Sequence, residues 1–448
     1  MQTLKLRQEI GISSIIFGVY LAKVLSEFIG RNINFQVYFL LAGVLLIFDY
    51  RKLYKIRFSI AELVYMLFQL ILIVSIMLSK ASIGKNVSGN GNNTTDFTYC
   101  LFAIGLIFAM STVKGKVINK LPVINFSISV FIMFAMTLII GSSKGFAFSN
   151  RFVFSTGGDA ITMALGTSIC YIGLLIYNPK AKIGLIFKVS AAIAGVYCLL
   201  AYGTRTADIS ALIITLTYFL QSAKIDKRMS EGIVKVAGVV VLFVFSFAWL
   251  GNIVPKVKNA MDTIGLHTIK GVYTLFGNSV YGQDASALAR VNSRNEVLSV
   301  LYKHTDILKI LFGHGYLTMY LDFPLLQIFI DLGLFGIFYV FIIVIWPLKI
   351  FFNNKLHCLA KNSEKFRAQY LTFTLLAIQV IVKQFVSGLP YGGDVYWPSI
   401  MCMFLAGSFI NKVIDPNTVH DMHHIGERKV SLMRFRQSKN KYSARVIK

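Results

Sequence analysis

The chain has 448 residues, of which 56% are hydrophobic; its mean hydropathy is +0.65 and its formal net charge is +25. A soluble protein of this length would not carry so many apolar runs of membrane length, so we expect a polytopic helical membrane protein. We attribute the positive charge to membrane topology and expect no nucleic-acid partner. No disulfide is predicted, because all five cysteines fall in predicted spans or on the cytoplasmic side: Cys100, Cys170, Cys198, Cys358 and Cys402.

The apolar runs predict an all-α polytopic membrane protein with about 12 transmembrane helices in a single membrane domain, residues 1–448. Each run is close to the roughly 20 residues that cross about 30 Å of hydrocarbon. The first run lacks a small-residue cleavage site, which indicates an uncleaved span. The predicted spans are Ile10–Ile29, Phe35–Phe48, Ser59–Leu78, Phe97–Val113, Pro122–Ile140, Asp159–Tyr177, Ile183–Ala201, Ala207–Gln221, Ile233–Leu250, Phe323–Trp346, Gln369–Ser387 and Pro398–Ile414.

Lysine and arginine are distributed unevenly between the two sets of segments that alternate with these spans. Counted with Lys235 and Lys412 near the ends of their spans, the set that includes both termini holds 29 of the 45 basic residues. The short loops of the other set, counted with Lys383, hold 7. The long insert holds another 7, and Lys23 and Lys188 fall within spans. Because short cytoplasmic loops are the positive ones, both termini are predicted to be cytoplasmic and the insert to face outward.

The segment 251–322, between the ninth and tenth spans, is the longest polar piece between two apolar runs. A loop of this length is usually either functional or disordered, and its content of leucine, isoleucine and valine argues against disorder. We therefore predict an outward-facing helical loop that acts as a lid. The basic segment 415–448 is instead expected to be a disordered cytoplasmic tail attracted to anionic lipid.

Four arginines are predicted on the outer side, where topology does not require them: Arg151, Arg205, Arg290 and Arg294. The planar guanidinium binds phosphate in a bidentate way, so arginines that converge on one cavity would suit a lipid pyrophosphate. Simpler interpretations exist for each. Arg151 could anchor a lipid headgroup, and Arg205 could pair with Asp208 one turn on. Arg290 and Arg294 could lie on a solvated helix face.

Few residues on the outer side could act as a base. His314 lies between two glycines, which permit tight turns and close backbone approach, and Asp322 lies at the start of the tenth span. Asp331 falls inside that span, where a carboxylate requires a partner or water, and a structural pair explains it as well as function does. No zinc spacing, phosphate-binding glycine loop or serine-nucleophile motif appears, so we expect neither metal nor cofactor.

Four stretches, in this order along the chain, resemble motifs of the O-antigen polymerase and O-antigen ligase superfamily. They are "NRFVFSTGGDAITMALG", "GTRTADISALIITL", "RVNSRNEVL…LKILFGHGY" and "DFPLLQIFIDLGLFGIF". The resemblance covers about residues 150–338 together with the overall topology. Two departures are evident, since the usual Pro-Asn is absent from the first stretch and Asp322 replaces the histidine that the ligases carry. The second departure favours a polymerase over a ligase.

The resemblance implies a metal-independent, inverting glycosyltransferase in the bacterial cytoplasmic (inner) membrane. Such an enzyme joins polyprenyl-pyrophosphate-linked oligosaccharide repeat units into a surface polysaccharide, an O-antigen or capsule, at the outer face. Its partners would be the lipid-linked glycans, membrane lipid and a chain-length regulator protein. Arg151, Arg205, Arg290 and Arg294 would bind the pyrophosphate or glycan, and Asp322, His314 and Arg294 would be catalytic.

Two rival functions remain open from the sequence. A ligase would move finished glycan to another acceptor, and a transporter would carry the lipid-linked oligosaccharide across the bilayer. A transporter requires charged groups along a path through the inner half of the membrane, where only Lys188 and Glu62 are candidates. Transporter folds also commonly contain internal repeats, and the sequence has no clear one.

Overall fold

The computed structural model describes residues 3–31, 35–82, 93–144, 152–156, 161–226, 306–317, 321, 323–386, 390 and 398–407. It also describes single positions within the predicted ninth span and lid: 234, 238, 288, 291–292, 294–295 and 298–299. Asp322, Arg151, Arg290 and the predicted tail lie outside these residues, as does the side chain of Arg205.

Regular structure in the described part of the chain is helical, apart from one isolated bridge between Thr3 and Val117. The helices, numbered here in chain order, are α1 (Leu6–Ile29), α2 (Phe35–Ile47), α3 (Ile60–Ser82), α4 (Asn93–Ser111), α5 (Leu121–Lys144), α6 (Ile161–Ile176), α7 (Lys182–Tyr202), α8 (Arg205–Asp226), α9 (Ile307–Phe312), α10 (Pro324–Phe351), α11 (Asn354–Asn362), α12 (Glu364–Val386) and α13 (Pro398–Gly407). A short 3-10 helix, Tyr50–Lys55, follows α2.

Five of the described helices are long and apolar enough to cross a membrane: α1, α3, α5, α7 and α10. Helices α2, α4, α6 and α13 are apolar but shorter. The prediction of a helical membrane protein is confirmed at this level. Described helices also coincide with eleven of the twelve predicted spans, and the ninth is described only at Val234 and Gly238.

The bundle is apolar outside and partly polar inside, as expected of a protein that lies in lipid. Helix α3 buries Gln69 completely and exposes a stripe of large apolar side chains, namely Leu63, Leu67, Leu70, Val74, Met77 and Leu78. Helix α7 exposes a similar set, Ile183, Leu185, Ile186, Phe187, Val189 and Ile193. Soluble monomers rarely expose contiguous apolar surfaces of this size.

Contacts between helix ends define one face of the bundle, which we call the Lys114 face. The Glu62 carboxylate at the start of α3 binds the Lys114 ammonium after α4, with 2.6 Å between Oε2 and Nζ. At the start of α1, both oxygens of the buried Glu9 accept backbone N–H groups from Asn119 and Lys120, which precede α5. This carboxylate caps the N-terminus of α5, where helical N–H groups have no intrahelical partner.

The opposite ends of these helices form the other face, which we call the Tyr316 face. It contains the end of α1, the start of α4, the end of α7 and the start of α8 and α10. Helices α1 and α7 both end at glycines in the left-handed conformation, Gly30 (φ 69°) and Gly203 (φ 59°). Glycine tolerates this backbone conformation, so it stops a helix without strain.

Helix α10 is interrupted twice. A 3-10 turn occupies Gly333–Phe335, and a π-helical turn occupies Phe341–Ile345. The second irregularity lies directly before Pro347, which has no N–H group and whose ring would collide with the carbonyl of Ile343 in a regular α-helix. The first lies where another segment packs against the helix, as described next.

Candidate functional site

The segment Gly313-His314-Gly315-Tyr316 forms a turn that packs directly on the backbone of α10. The His314 N–H donates to the Ile330 carbonyl (2.7 Å), and the Gly315 N–H donates to the Asp331 carbonyl (3.2 Å). A Cβ atom at Gly313 would lie under 3.0 Å from the backbone of Asp331. Both glycines also have positive φ, 77° and 95°. Gly313 is therefore required by close approach and by backbone conformation, and Gly315 by backbone conformation.

Asp331, within α10, holds this turn in place through a hydrogen bond. Its side chain is fully buried, and its Oδ1 accepts the Leu317 N–H (3.2 Å) and the Gln327 side-chain amide (2.8 Å). Leu317 is the described non-glycine residue with positive φ, 49°. The carboxylate thus stabilises a conformation that a leucine rarely adopts. Of the two interpretations left open for Asp331, its contacts favour the structural one.

Gln327 extends the network to the segment that carries Asp322. Its Oε1 accepts the N–H of Leu321 (2.6 Å), and both side chains are buried. On the other side of Asp322, the ring of Phe323 lies 6.3 Å from that of Phe385 in α12. Asp322 itself lies outside the described residues, but its two neighbours are held. One hydrogen-bonded chain therefore links Leu321 through Gln327 and Asp331 to Leu317, three residues after His314.

Tyr316 connects the turn to α4. Its hydroxyl donates to the Asp96 carboxylate in the first turn of α4, and the ring is buried. Burial, followed by the adjacent Asp96 charge, raises the pKa of the Tyr316 phenol well above its usual value. The phenol therefore keeps its proton and remains the donor in this bond. The contact joins residues 220 positions apart and fixes the turn relative to the bundle.

A second cluster on the Tyr316 face holds the segment that follows Arg151. The Glu27 carboxylate accepts N–H and hydroxyl groups from both Ser155 and Thr156, and its side chain is 2% exposed. Lys23 lies one turn earlier on α1, 3.8 Å from Glu27, and donates to the Thr156 hydroxyl (3.0 Å). Its ammonium also lies 4.6 Å from the centre of the Phe154 ring. These contacts define the path of residues 152–156.

The same segment lies beside the end of α7, close to where Arg205 begins α8. The Phe152 N–H donates to the Ala201 carbonyl (3.0 Å), and the Phe152 ring lies 6.3 Å from that of Tyr202. Two of the predicted phosphate-binding arginines therefore have sequence neighbours in contact: Phe152 follows Arg151, and Ala201 lies four residues before Arg205. The side chain of Arg205 is not among those described, so its pairing with Asp208 stays a prediction.

Within the predicted lid, described positions on the stretch of Arg290 and Arg294 are helical. Arg294 is exposed, and no ion pair among the described residues includes it. Leu288 and Val291, from the predicted apolar stripe, are half-buried, whereas Leu298 is 39% exposed.

The two charged residues considered for a transport path both have partners. Glu62 is bound to Lys114 on the Lys114 face, as described above. The Lys188 ammonium donates to the Tyr177 carbonyl (2.9 Å) and to the Asn178 side chain (2.7 Å), which lie between α6 and α7. Each charge is thus satisfied by groups near the end of a helix.

Sequence reasoning missed the residues that assemble these clusters, namely Gln327, Asp96, Tyr316 and Glu27. One signal was available, since Gln327 and Asp331 are four apart in an otherwise apolar run and must share a helix face. Among the described residues, no group of three His, Cys, Asp or Glu side chains could hold a metal ion. No protein-family model matches the chain, and no curated protein is significantly similar to it.

Proposed function

We propose that this protein polymerises polyprenyl-pyrophosphate-linked oligosaccharide repeat units into a surface polysaccharide at the outer face of the cytoplasmic membrane. The observation that carries the proposal is the hydrogen-bonded chain from Leu321 to Leu317. It holds together the two segments on which the sequence put candidate bases, His314 and Asp322. Preorganised groups of this kind lower a reaction barrier through positioning.

The reaction would be a single displacement at the anomeric carbon of the donor glycan. An acceptor hydroxyl attacks that carbon, the bond to the pyrophosphate oxygen breaks, and the configuration inverts. The electron pair of the broken bond goes to the pyrophosphate, whose growing negative charge Arg205 and Arg294 stabilise, together with Arg151 and Arg290. The proton of the hydroxyl passes to Asp322 or His314.

The proposed orientation puts the Tyr316 face outside and the Lys114 face in the cytoplasm, with twelve spans and both termini cytoplasmic. Its support is the excess of lysine and arginine in segments of the Lys114 face. Cysteines introduced at Ser286 and Ser443 test it in intact cells with a membrane-impermeant thiol reagent. We expect labelling at Ser286 and protection at Ser443, and the reverse pattern would falsify the orientation.

The two alternatives to the proposed polymerase are a ligase and a transporter. The partners of Glu62 and Lys188 argue against a transporter, since a conducting path needs charges that face it. Deleting the gene and separating the surface glycan on a gel distinguishes the three. A polymerase deletion leaves single repeat units on the surface, whereas complete absence of transferred glycan would indicate a ligase or transporter.

Purified protein provides the direct test of the reaction. Incubated with lipid-linked repeat units alone, it should form a ladder of longer glycans and release polyprenyl pyrophosphate. Addition of a chelator should leave the ladder unchanged. If the repeat units are consumed only when a different acceptor is supplied, the protein is a ligase.

A further inference from the structure

Helix α9 exposes nearly all of its apolar side chains. No residue of Ile307–Phe312 is buried, and the exposed fractions are 72% for Ile307, 62% for Leu308 and 59% for Phe312. Six residues with this composition would not remain uncovered in water, because burial of apolar side chains is the main favourable term in folding. The question is therefore what covers α9.

The depth of α9 follows from its contacts with α10. Trp346 and Lys349 lie near one end of α10, 5.8 Å apart from ring to ammonium, and such residues mark a membrane–water boundary. About 20 residues cross the hydrocarbon, so the other boundary falls near Leu326. Ile330 and Asp331, which accept hydrogen bonds from the turn after α9, then lie about 6–8 Å inside it at 1.5 Å per residue.

Several backbone N–H groups of this segment have acceptors within the protein. Unpaired N–H and C=O groups are not tolerated in hydrocarbon. The N–H groups of Gly313, His314 and Gly315 donate to carbonyls of Lys309, Ile330 and Asp331. The Leu317 N–H donates to the Asp331 carboxylate, and the Asp306 side chain caps Leu308 at the start of α9. These N–H groups therefore do not need water as an acceptor.

The exposed side of α9 is continuous with exposed apolar residues of α10. The ring of Phe312 lies 5.6 Å from that of Phe335, and the neighbouring Leu334 and Ile337 are 53% and 55% exposed. A Cβ atom at Gly333 would lie under 3.0 Å from the carbonyl oxygen of Ile310, so α9 packs against α10 with no side chain between them. The two helices present a single apolar surface.

We propose that α9 is a re-entrant helix embedded in the membrane leaflet on the Tyr316 face, with its apolar side chains covered by phospholipid acyl chains. His314, whose backbone bonds to Ile330, then lies just inside the boundary between hydrocarbon and headgroups. That is the depth at which a lipid-linked substrate carries its phosphate. The embedding itself depends only on α10 crossing the membrane and not on the proposed polymerase activity.

The test places a bimane fluorophore on single cysteines in the Cys358→Ser background, because the other four cysteines are buried. Leu308→Cys and Phe312→Cys report on α9. Leu334→Cys, on the lipid-facing side of α10, and Lys361→Cys, exposed on α11, are the lipid and water controls. Each labelled protein is reconstituted into vesicles of phosphatidylcholine with or without brominated acyl chains, free of polyprenyl lipid.

We expect brominated lipid to quench positions 308 and 312 as strongly as position 334, and aqueous iodide to quench only position 361. Quenching of 308 and 312 by iodide instead would show that α9 lies in water. Absence of quenching by either agent would show that protein covers α9. Both results overturn the proposal. Two positions are labelled on α9 so that the conclusion does not rest on a single variant that fails to fold.

Discussion

The two faces of the bundle satisfy most of their acidic residues in different ways, although Glu9 on the Lys114 face also accepts backbone N–H groups. On the Lys114 face, Glu62 binds Lys114, and Asp226 accepts two parallel bonds from the Arg367 guanidinium at 2.7 and 2.9 Å. On the Tyr316 face, Asp96 and Asp331 accept from hydroxyl, amide and backbone donors. Glu27 accepts mostly from hydroxyl and backbone groups and has Lys23 beside it.

This difference bears on what the arginines predicted on the outer side could do. A guanidinium that neutralises a protein carboxylate is no longer available for an anionic ligand. Because Asp96, Asp331 and Glu27 have other donors, their burial does not depend on the predicted arginines. Two of these neutral donors, the Tyr316 hydroxyl and the Leu317 N–H, belong to the segment that follows His314. The comparison therefore predicts that changes on the Tyr316 face affect the reaction, whereas changes on the Lys114 face affect stability alone.

The largest effect is expected from the arginines. Arg205→Ala and Arg294→Ala should each reduce polymer formation by roughly a hundredfold or more, the scale measured when one transition-state donor is removed. Arg→Lys at either position should recover only part of the activity, because a point charge remains while the bidentate fork is lost. Glycan gels, normalised to the amount of protein in the membrane, measure the effect.

Arg367→Ala on the Lys114 face is the matched control. Arg367 and Asp226 are 30% and 44% exposed, and such pairs contribute about 1 kcal/mol or less to stability. This variant should make polymer of normal length. Full-length polymer from both Arg205→Ala and Arg294→Ala would contradict the phosphate-binding role.

The second effect separates the two candidate bases. Asp322→Asn should lose most turnover and still bind donor, because the amide keeps the shape of the side chain and loses its basicity. A carboxylate with a pKa near its usual value of about 4 is ionised at neutral pH and can accept the hydroxyl proton. His314→Gln is the comparison, and both are assayed with purified lipid-linked repeat units.

If His314→Gln has no turnover and Asp322→Asn has nearly normal turnover, the base is His314. If both variants keep their activity, catalysis relies on the arginines and on positioning, and neither residue is a base.

The positions of the helices could be predicted from the sequence, but the contacts that assemble the candidate site could not. Apolar runs identify spans because the length of a run is a local property. The bond between Tyr316 and Asp96 joins residues 220 apart, and nothing local marks either as a partner. The same holds for Arg367 and Asp226, whose pairing accompanies the extension of α8 beyond its predicted end at Gln221.

The turn of His314 is an intermediate case. Glycines on both sides of the histidine permit a tight turn with close backbone approach, and the structure has both features at Gly313. The surface against which it packs could not be predicted, because that surface depends on the 3-10 break at Gly333 in α10. A break of this kind depends on which segment approaches the helix, and the sequence of the helix alone does not contain that information.

A third prediction concerns Asp331 and measures how firmly the turn is held. Asp331→Ala should lower the free energy of unfolding by about 2–3 kcal/mol, because two buried donors lose a charged acceptor. Asp331→Asn keeps an acceptor oxygen and should lose less. Thermal unfolding in detergent measures stability, and the repeat-unit assay measures turnover at a temperature where both variants are folded.

The turnover of the folded Asp331→Ala protein decides whether the network also positions the bases. We expect it to fall, since Leu317 and the segment of Leu321 share this carboxylate through Gln327. Glu62→Gln is the control from the Lys114 face, where an ion pair is lost far from the turn. Equal turnover of the two variants would contradict a positioning role for Asp331.

The smallest effect is a pH dependence of stability on the Lys114 face. His357, in α11, is 7% exposed, and its Nε2 lies 2.7 Å from the Tyr370 hydroxyl of α12. Burial, and then the nearby Lys224 charge, lowers the pKa of His357 from 6.5 to about 4. The imidazole is therefore neutral in the folded protein at neutral pH.

The folded state binds this proton less readily than the unfolded state. The contribution of neutral His357 to the free energy of unfolding is therefore fully present above about pH 6.5 and is lost as the pH drops towards 4. The full shift would correspond to about 3 kcal/mol, and partial access of water to the ring reduces the expected loss to roughly 1–2 kcal/mol.

His357→Gln keeps a hydrogen-bonding group near Tyr370 and cannot titrate in this range. Its thermal midpoint should therefore fall less than that of the unmodified protein between pH 7.5 and pH 5. Identical pH dependence of the two midpoints would show that His357 does not bind the proton on unfolding. Polymer formation by His357→Gln at neutral pH should be unchanged, as expected if only the Tyr316 face takes part in the reaction.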